Sequence, residues 1–220
     1  MLPRRALLVI GVIAAAVLAG CGGSGHHHAG AATGISTSSG PASPYAGMVP
    51  PAPLDVGALS LPDAADDGRP LALHAAPGGL LLVFFGFTHC EDVCPLTMAE
   101  LRSAVAALPA ADRPRIRVAF VTVDPKRDTA AVLTGYVRGF FPSGAALRSE
   151  DDAALRAVAT AFSAAYDVRR GDGGDVEVLH TDFVYAVDAD GRVVVQWPYG
   201  TPTADITADL GAILAATPAS

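Results

Sequence analysis

Two apolar runs dominate the middle of the chain. Leu80-Leu-Leu-Val-Phe-Phe-Gly-Phe87 is unbroken, and Arg115-Ile-Arg-Val-Ala-Phe-Val-Thr-Val123 is rich in β-branched residues; both predict strands buried on both faces. Between them Pro95 suits a first helical position. Leu96-Thr-Met-Ala-Glu-Leu-Arg-Ser-Ala-Val105 continues with helical spacing, which predicts a helix from Pro95 to about Leu108. The second strand stops at Asp124-Pro125. Helices are expected from Asp128 or Thr129 to Phe141, and from Ser149, a good N-cap, to about Tyr166. Phe183-Val-Tyr-Ala-Val187 and Arg192-Val-Val-Val-Gln-Trp197 flank Asp188-Ala-Asp-Gly191 and predict a hairpin. A last helix is expected from Thr203 to Ala215.

This succession implies an α/β fold, a central mixed β-sheet with helices on both faces. Its order resembles that of thioredoxin, with an extra helix before the hairpin. A strand, a crossover helix and a second strand form parallel neighbours. The C-terminal ends of the strands at Leu80 and Arg115 then share the edge where open α/β sheets bind ligands, and this edge brings Asp124 close to a pair of cysteines.

The N-terminal pattern is of another kind. Met1-Leu-Pro-Arg4-Arg5 precedes 14 apolar residues, Ala6 to Ala19, and then Gly20-Cys21. A basic start, an apolar core and small residues before a cut describe a secretory signal over residues 1–20. Leu18-Ala-Gly-Cys21 resembles the bacterial lipobox, which would make Cys21 the lipidated first residue of a mature chain anchored outside the cytoplasm. An uncleaved membrane anchor is the other reading, although 14 apolar residues are short of the about 20 that a span needs. Residues 21–53, rich in Gly, Ser, Ala and Pro, are expected to form a flexible tether. About 30 such residues reach roughly 30 Å. Within them His26-His27-His28 is a candidate metal catcher or an inert linker run. Residues 54–217 are expected to form one domain.

Composition narrows the partners. The formal charge is −7, and without Arg4 and Arg5 13 basic residues face 22 acidic ones, which argues against nucleic acid. Apart from Cys21 the cysteines are Cys90 and Cys94, placed where a strand ends and a helix begins. A helix N-terminus favours a thiolate, the form that attacks disulfides and binds soft metals, so Cys94 is expected to gain from that position. The pair could also be a plain structural disulfide, but a bridge over three residues constrains little of the unfolded chain.

Three segments carry a family resemblance. Gly86-Phe-Thr-His-Cys90-Glu-Asp-Val-Cys94-Pro95, Val121-Thr-Val-Asp124-Pro-Lys-Arg127-Asp128-Thr129 and His180-Thr-Asp-Phe183-Val-Tyr-Ala-Val-Asp188 together look like the Sco/SenC family of copper proteins, over nearly all of residues 55–216. The resemblance implies a thioredoxin-like fold and one copper ion, Cu(I) or Cu(II), bound by Cys90, Cys94 and His180. It also implies a role in assembling the binuclear copper site of cytochrome c oxidase. The expected partners are the copper-bearing oxidase subunit or another copper chaperone. Glu91 departs from the pattern, because many relatives carry Pro there. Two thiolates suit Cu(I), and one added imidazole suits Cu(II) as well. Of His74, His89 and His180, only His180 lies just before a strand that can deliver it to the dithiol edge. His89 adjoins Cys90, but neighbouring side chains in an extended segment face opposite ways. Asp124 is either a residue that orients a ligand or a helix-entry residue. A metal-independent thiol–disulfide oxidoreductase and a copper or redox sensor are the alternative functions. Whether the protein is an enzyme stays open, and metallochaperone is the expectation.

Overall fold

A computed structural model describes residues 43–217 of the chain. Its elements, in order, are β1 (Ser60–Asp63), β2 (Arg69–Ala72), β3 (Leu80–Gly86), α1 (Val93–Ala107), β4 (Ile116–Thr122), α2 (Ala130–Phe140), β5 (Ala145–Leu147), α3 (Asp152–Ala161), β6 (Tyr166–Arg170), β7 (Val176–His180), β8 (Val184–Val187), β9 (Val193–Trp197) and α4 (Thr203–Ala216). Seven strands form one mixed sheet in the order β2-β1-β5-β4-β3-β8-β9, and β6 and β7 pair as a separate two-stranded sheet.

The expected parallel pair is present, with Leu80 opposite Ile116 and Gly86 opposite Thr122. β8 runs antiparallel along the other side of β3. All seven residues of β3 are buried, because its faces alternate between two cores. Leu80, Leu82 and Phe84 pack with residues of α1, α2 and α4 on one face. Leu81, Val83 and Phe85 pack with Leu155, Val158 and Ala159 of α3 on the other. The β8–β9 turn closes as expected: Gly191 takes φ 78°, and Asp188 Oδ1 accepts from the N–H groups of Asp190 and Arg192 at 3.0 and 2.8 Å.

Elsewhere the structure departs from the sequence expectations. The helix expected from Ser149 to Tyr166 is shorter: Asp151 caps α3 by accepting from Ala153 and Ala154, and Ser163, at φ 54°, ends it. Tyr166 instead opens β6. Strands β1, β2, β5, β6 and β7 have no counterpart among the sequence expectations. Pro62 and Pro70 disguise the first two: β2 is the edge strand and β1 meets β5 through Asp63 alone, so both prolines stand where proline is tolerated. Ala145-Ala-Leu147 carries no β-branched residue to mark a strand.

Residues 43–53, the last part of the expected tether, lie against the domain. Met48 pairs with Gln196, and the N–H groups of Ala46 and Gly47 donate to the Asp209 carboxylate at 3.0 and 2.8 Å. Trp197 Nε1 donates to the same carboxylate at 2.8 Å, which satisfies a buried charge with three donors. The expected signal segment, Cys21 and His26–His28 lie outside the described residues. Among the described residues no helix is long and apolar enough to cross a membrane.

Candidate metal centre

β3 ends at Gly86, a position with no room for a side chain. A Cβ would stand 2.8 Å from Phe120 Cζ and 2.9 Å from Cys94 Sγ. The chain turns through Phe87 to Asp92 and enters α1, whose N-cap Asp92 makes no side-chain capping bond. A sulfur serves instead: the Cys94 N–H donates to Cys90 Sγ at 3.3 Å, satisfying one of the N–H groups that a helix start leaves unpaired. Cys90 is partly exposed, whereas Cys94 is fully buried in the core beneath α1.

That burial corrects the expectation that the helix N-terminus makes Cys94 a ready thiolate. Loss of solvation pushes the Cys94 thiol well above its ordinary range, and the neighbouring Cys90 and Asp128 add to the shift. One turn of helix dipole is too weak to offset the removal of a sulfur from water. Cys94 therefore rests as a thiol and must release a proton before it can bind a metal.

The third group comes from the two-stranded sheet. His180, the last residue of β7, places Nε2 3.6 Å from Cys94 Sγ. Its Nδ1 lies 2.9 Å from the Thr181 carbonyl oxygen. A carbonyl can only accept, so in the neutral ring, the form that binds a metal, Nδ1 carries the proton and Nε2 presents its lone pair to the sulfur. Phe84 and Phe87 hold the ring edge-on, with centroids at 6.1 and 5.8 Å. The donor set of two sulfurs and one imidazole nitrogen fits copper in either valence. It is not a finished cage. Among the described residues no three His, Cys, Asp or Glu side chains are grouped as a ready metal site. Cys94 and His180 meet directly, and Cys90 joins them through the Cys94 N–H.

The other candidates fall elsewhere. His89 is half-exposed, with Nδ1 3.4 Å from Asp128 Oδ1. His74 bonds the Ala75 carbonyl and lines a recess with Leu80 and Arg115, at the opposite end of β3. Asp124 is buried at the expected edge, but its carboxylate is held by Arg127 and Arg170 rather than by a cysteine or His180. The carboxylate that shapes the dithiol loop is Asp128. It accepts from Thr88 N–H at 3.0 Å, Thr88 Oγ1 at 2.6 Å and Thr122 Oγ1 at 2.6 Å, and so ties the loop carrying Cys90 to the end of β4. Its sequence context, Arg127-Asp-Thr129, reads only as a helix start, which hides this role.

The SCO1/SenC family profile matches residues 63–215. The chain belongs to the SCO1/SenC family. An SCO2-like protein of Rickettsia felis is 34% identical over 119 residues, which cover 52% of this chain and 56% of that protein. The chain thus spans about half the length of the curated relatives it matches. Among solved structures, apo Sco1 of Thermus thermophilus is 33% identical with a TM-score of 0.67, covering 79% of this chain and 99% of that one. Bradyrhizobium japonicum ScoI with copper bound is 31% identical with a TM-score of 0.60, covering 70% and 96%. The thioredoxin-like fold expected from the sequence is therefore that of its SCO1/SenC relatives.

Proposed function

We propose that this SCO1/SenC domain is a copper metallochaperone in which Cys90, Cys94 and His180 hold one copper ion as cargo. It would deliver that ion to the binuclear copper site of cytochrome c oxidase or prepare the thiols of that site. The observation that carries the reading is the 3.6 Å approach of His180 Nε2 to Cys94 Sγ, with the imidazole lone pair turned toward the sulfur. The copper-bound ScoI of B. japonicum supports the choice of metal. Loading requires both thiols to lose their protons. Partly exposed Cys90 is the accessible first ligand, and buried Cys94 closes the site with His180. Unloading reverses the order: an incoming thiolate displaces the exposed sulfur first, so the ion stays coordinated throughout. Lipidation at Cys21 and a tether shortened to residues 21–42 would keep the domain beside the membrane, outside the cytoplasm.

One observation favours a second reading. Cys90 is partly exposed and accepts the Cys94 N–H, an arrangement that also serves thiol–disulfide exchange. Anaerobic copper titration of the reduced full-length protein separates the two. The metallochaperone reading expects one tightly bound copper, lost in the Cys90→Ser, Cys94→Ser double variant. No tight binding by the unaltered protein, together with turnover of a model disulfide, selects the oxidoreductase.

A further inference from the structure

His180 does not stand on the main sheet. It ends a hairpin of two five-residue strands, β6 and β7, that pair only with each other. A two-stranded hairpin is marginal on its own, and the strand residues of this one are half-buried or exposed. Tyr166 and Val178 pack against the core beside α3, and Arg156 lies over the Tyr166 ring at 4.7 Å, which seats the base and middle of the hairpin but leaves its tip, at Arg170 and Val176, without such a contact. The bonds at its base, Thr181 N–H to the Ala165 carbonyl at 2.8 Å and Ala165 N–H to Thr181 Oγ1 at 3.0 Å, join the two ends of the hairpin to each other. Arg169 pairs with Asp167 and Glu177, both within the hairpin. Tyr166 reaches Asp152 of α3 at 3.1 Å across an exposed surface, where such a bond contributes little.

Arg170 is different. Among the described residues it makes the one ion pair that joins the hairpin to the main domain, and its partner Asp124 has a fully buried side chain. The other oxygen of that carboxylate holds Arg127 Nε. The Arg127 guanidinium lies 5.7 Å from the centre of the Phe87 ring, and Phe87 meets the His180 ring edge-on. One buried carboxylate thus fixes both the hairpin and the aromatic wall behind the imidazole. Arg170 pairs with Val176 next to the hairpin tip, whereas His180 pairs with Tyr166 at the base. The chain holds the base and Arg170 holds the tip, so the pair sets the tilt of the hairpin and the direction of the imidazole.

We propose that Arg170 is a positioning residue for the copper site: its pairing with buried Asp124 latches the β6–β7 hairpin so that His180 Nε2 points at Cys94. This rests on the reading of His180 as a copper ligand. It adds that the ligand's aim is set by a residue remote from the dithiol.

The test uses the full-length protein with Arg170→Gln, Arg170→Lys and His180→Ala. In the metal-free reduced state, hydrogen exchange of the β6 and β7 amides should speed up by about tenfold or more in Arg170→Gln. The β3 and β4 amides should keep their protection, and Arg170→Lys should restore part of the hairpin's. With Cu(II) bound, Arg170→Gln should shift or weaken the thiolate-to-Cu(II) absorption band, with Cu(I) affinity within about threefold of the unaltered protein, because two thiolates hold Cu(I). Unchanged hairpin exchange in Arg170→Gln overturns the latch, as does equal loss of protection in β3 and β4, which would make Arg170 merely structural. A band altered by His180→Ala but not by Arg170→Gln overturns the latch alone. A band untouched by His180→Ala overturns the ligand reading and the proposal with it.

Discussion

His180 Nε2 stands 3.6 Å from Cys94 Sγ, although the two are 86 positions apart along the chain. The sheet accounts for this. β4 and β8 flank β3, so the loop after β3 and the segment before β8 open on the same edge. The cysteines lie in the first and His180 in the second. Phe84 and Phe87, from the end of β3, then hold the imidazole over the buried sulfur.

His180→Ala should separate the two copper valences. Two thiolates suffice for Cu(I) in near-linear geometry, whereas Cu(II) calls for the added nitrogen. Cu(II) affinity should fall by more than the roughly 10-fold to 100-fold that loss of an outer partner costs at a metal site. The thiolate charge-transfer band should disappear while Cu(I) binding persists. Parallel titrations with the two valences check this, and an intact band would move the third ligand away from His180.

The two cysteines should differ in reactivity. Cys90 is partly exposed and Cys94 is fully buried with its thiol held protonated. Iodoacetamide on the native, reduced, metal-free protein should modify Cys90 to completion while Cys94 stays unmodified until the protein unfolds. Peptide mass spectrometry over a time course reads the outcome directly. Equal rates for the two thiols would contradict the burial of Cys94.

Gly86→Ala should damage the site without touching a ligand. The new Cβ would press on Phe120 Cζ and Cys94 Sγ at under 3 Å. Both belong to a close-packed core, so relief must come from shifted side chains at about 1–3 kcal/mol. Since one of the atoms displaced is a proposed ligand, copper affinity should fall along with the denaturation midpoint. Gly135→Ala, where the added Cβ meets nothing within 4 Å, is the control.

The sequence made β3, β4 and the β8–β9 hairpin legible because each announces itself locally, by an unbroken apolar run or by a glycine at the turn. The dithiol was legible because it falls at a strand end before Pro95. The β6–β7 hairpin was legible in principle. Tyr166-Asp-Val-Arg and Val176-Glu-Val178 alternate apolar and polar residues around Gly171-Asp-Gly-Gly-Asp175, but the alanines before Tyr166 extend the helical pattern over it. What no local pattern carries is long-range pairing. The Arg170–Asp124 bond and the grip of Asp128 on Thr88 join residues 46 and 40 positions apart. The protonation of Cys94 is hidden for the same reason: the helix start is local and readable, but the depth of burial is set by β3, β4 and α2 together.

Alkaline pH should destabilise the reduced, metal-free protein, starting with Cys94. Its thiol has an ordinary value of 9.0, and burial raises it in the folded state. Below pH 9 both folded and unfolded chains keep the proton, and the group favours neither. Above it the unfolded chain releases the proton and the folded chain does not, so the unfolded state binds fewer protons and stability falls as pH rises. The slope is at most about 1.4 kcal/mol per pH unit for this one group. Tyr136 and Tyr185 are raised by burial in the same way from 10.0, so the decline should steepen above pH 10. Urea denaturation between pH 7 and 11 measures the curve, and Cys94→Ser isolates the thiol. That variant should start less stable at pH 7 but lose the decline between pH 9 and 10 while keeping the steeper part. An unchanged decline in Cys94→Ser would assign the alkaline transition to other groups and contradict a proton-bearing Cys94.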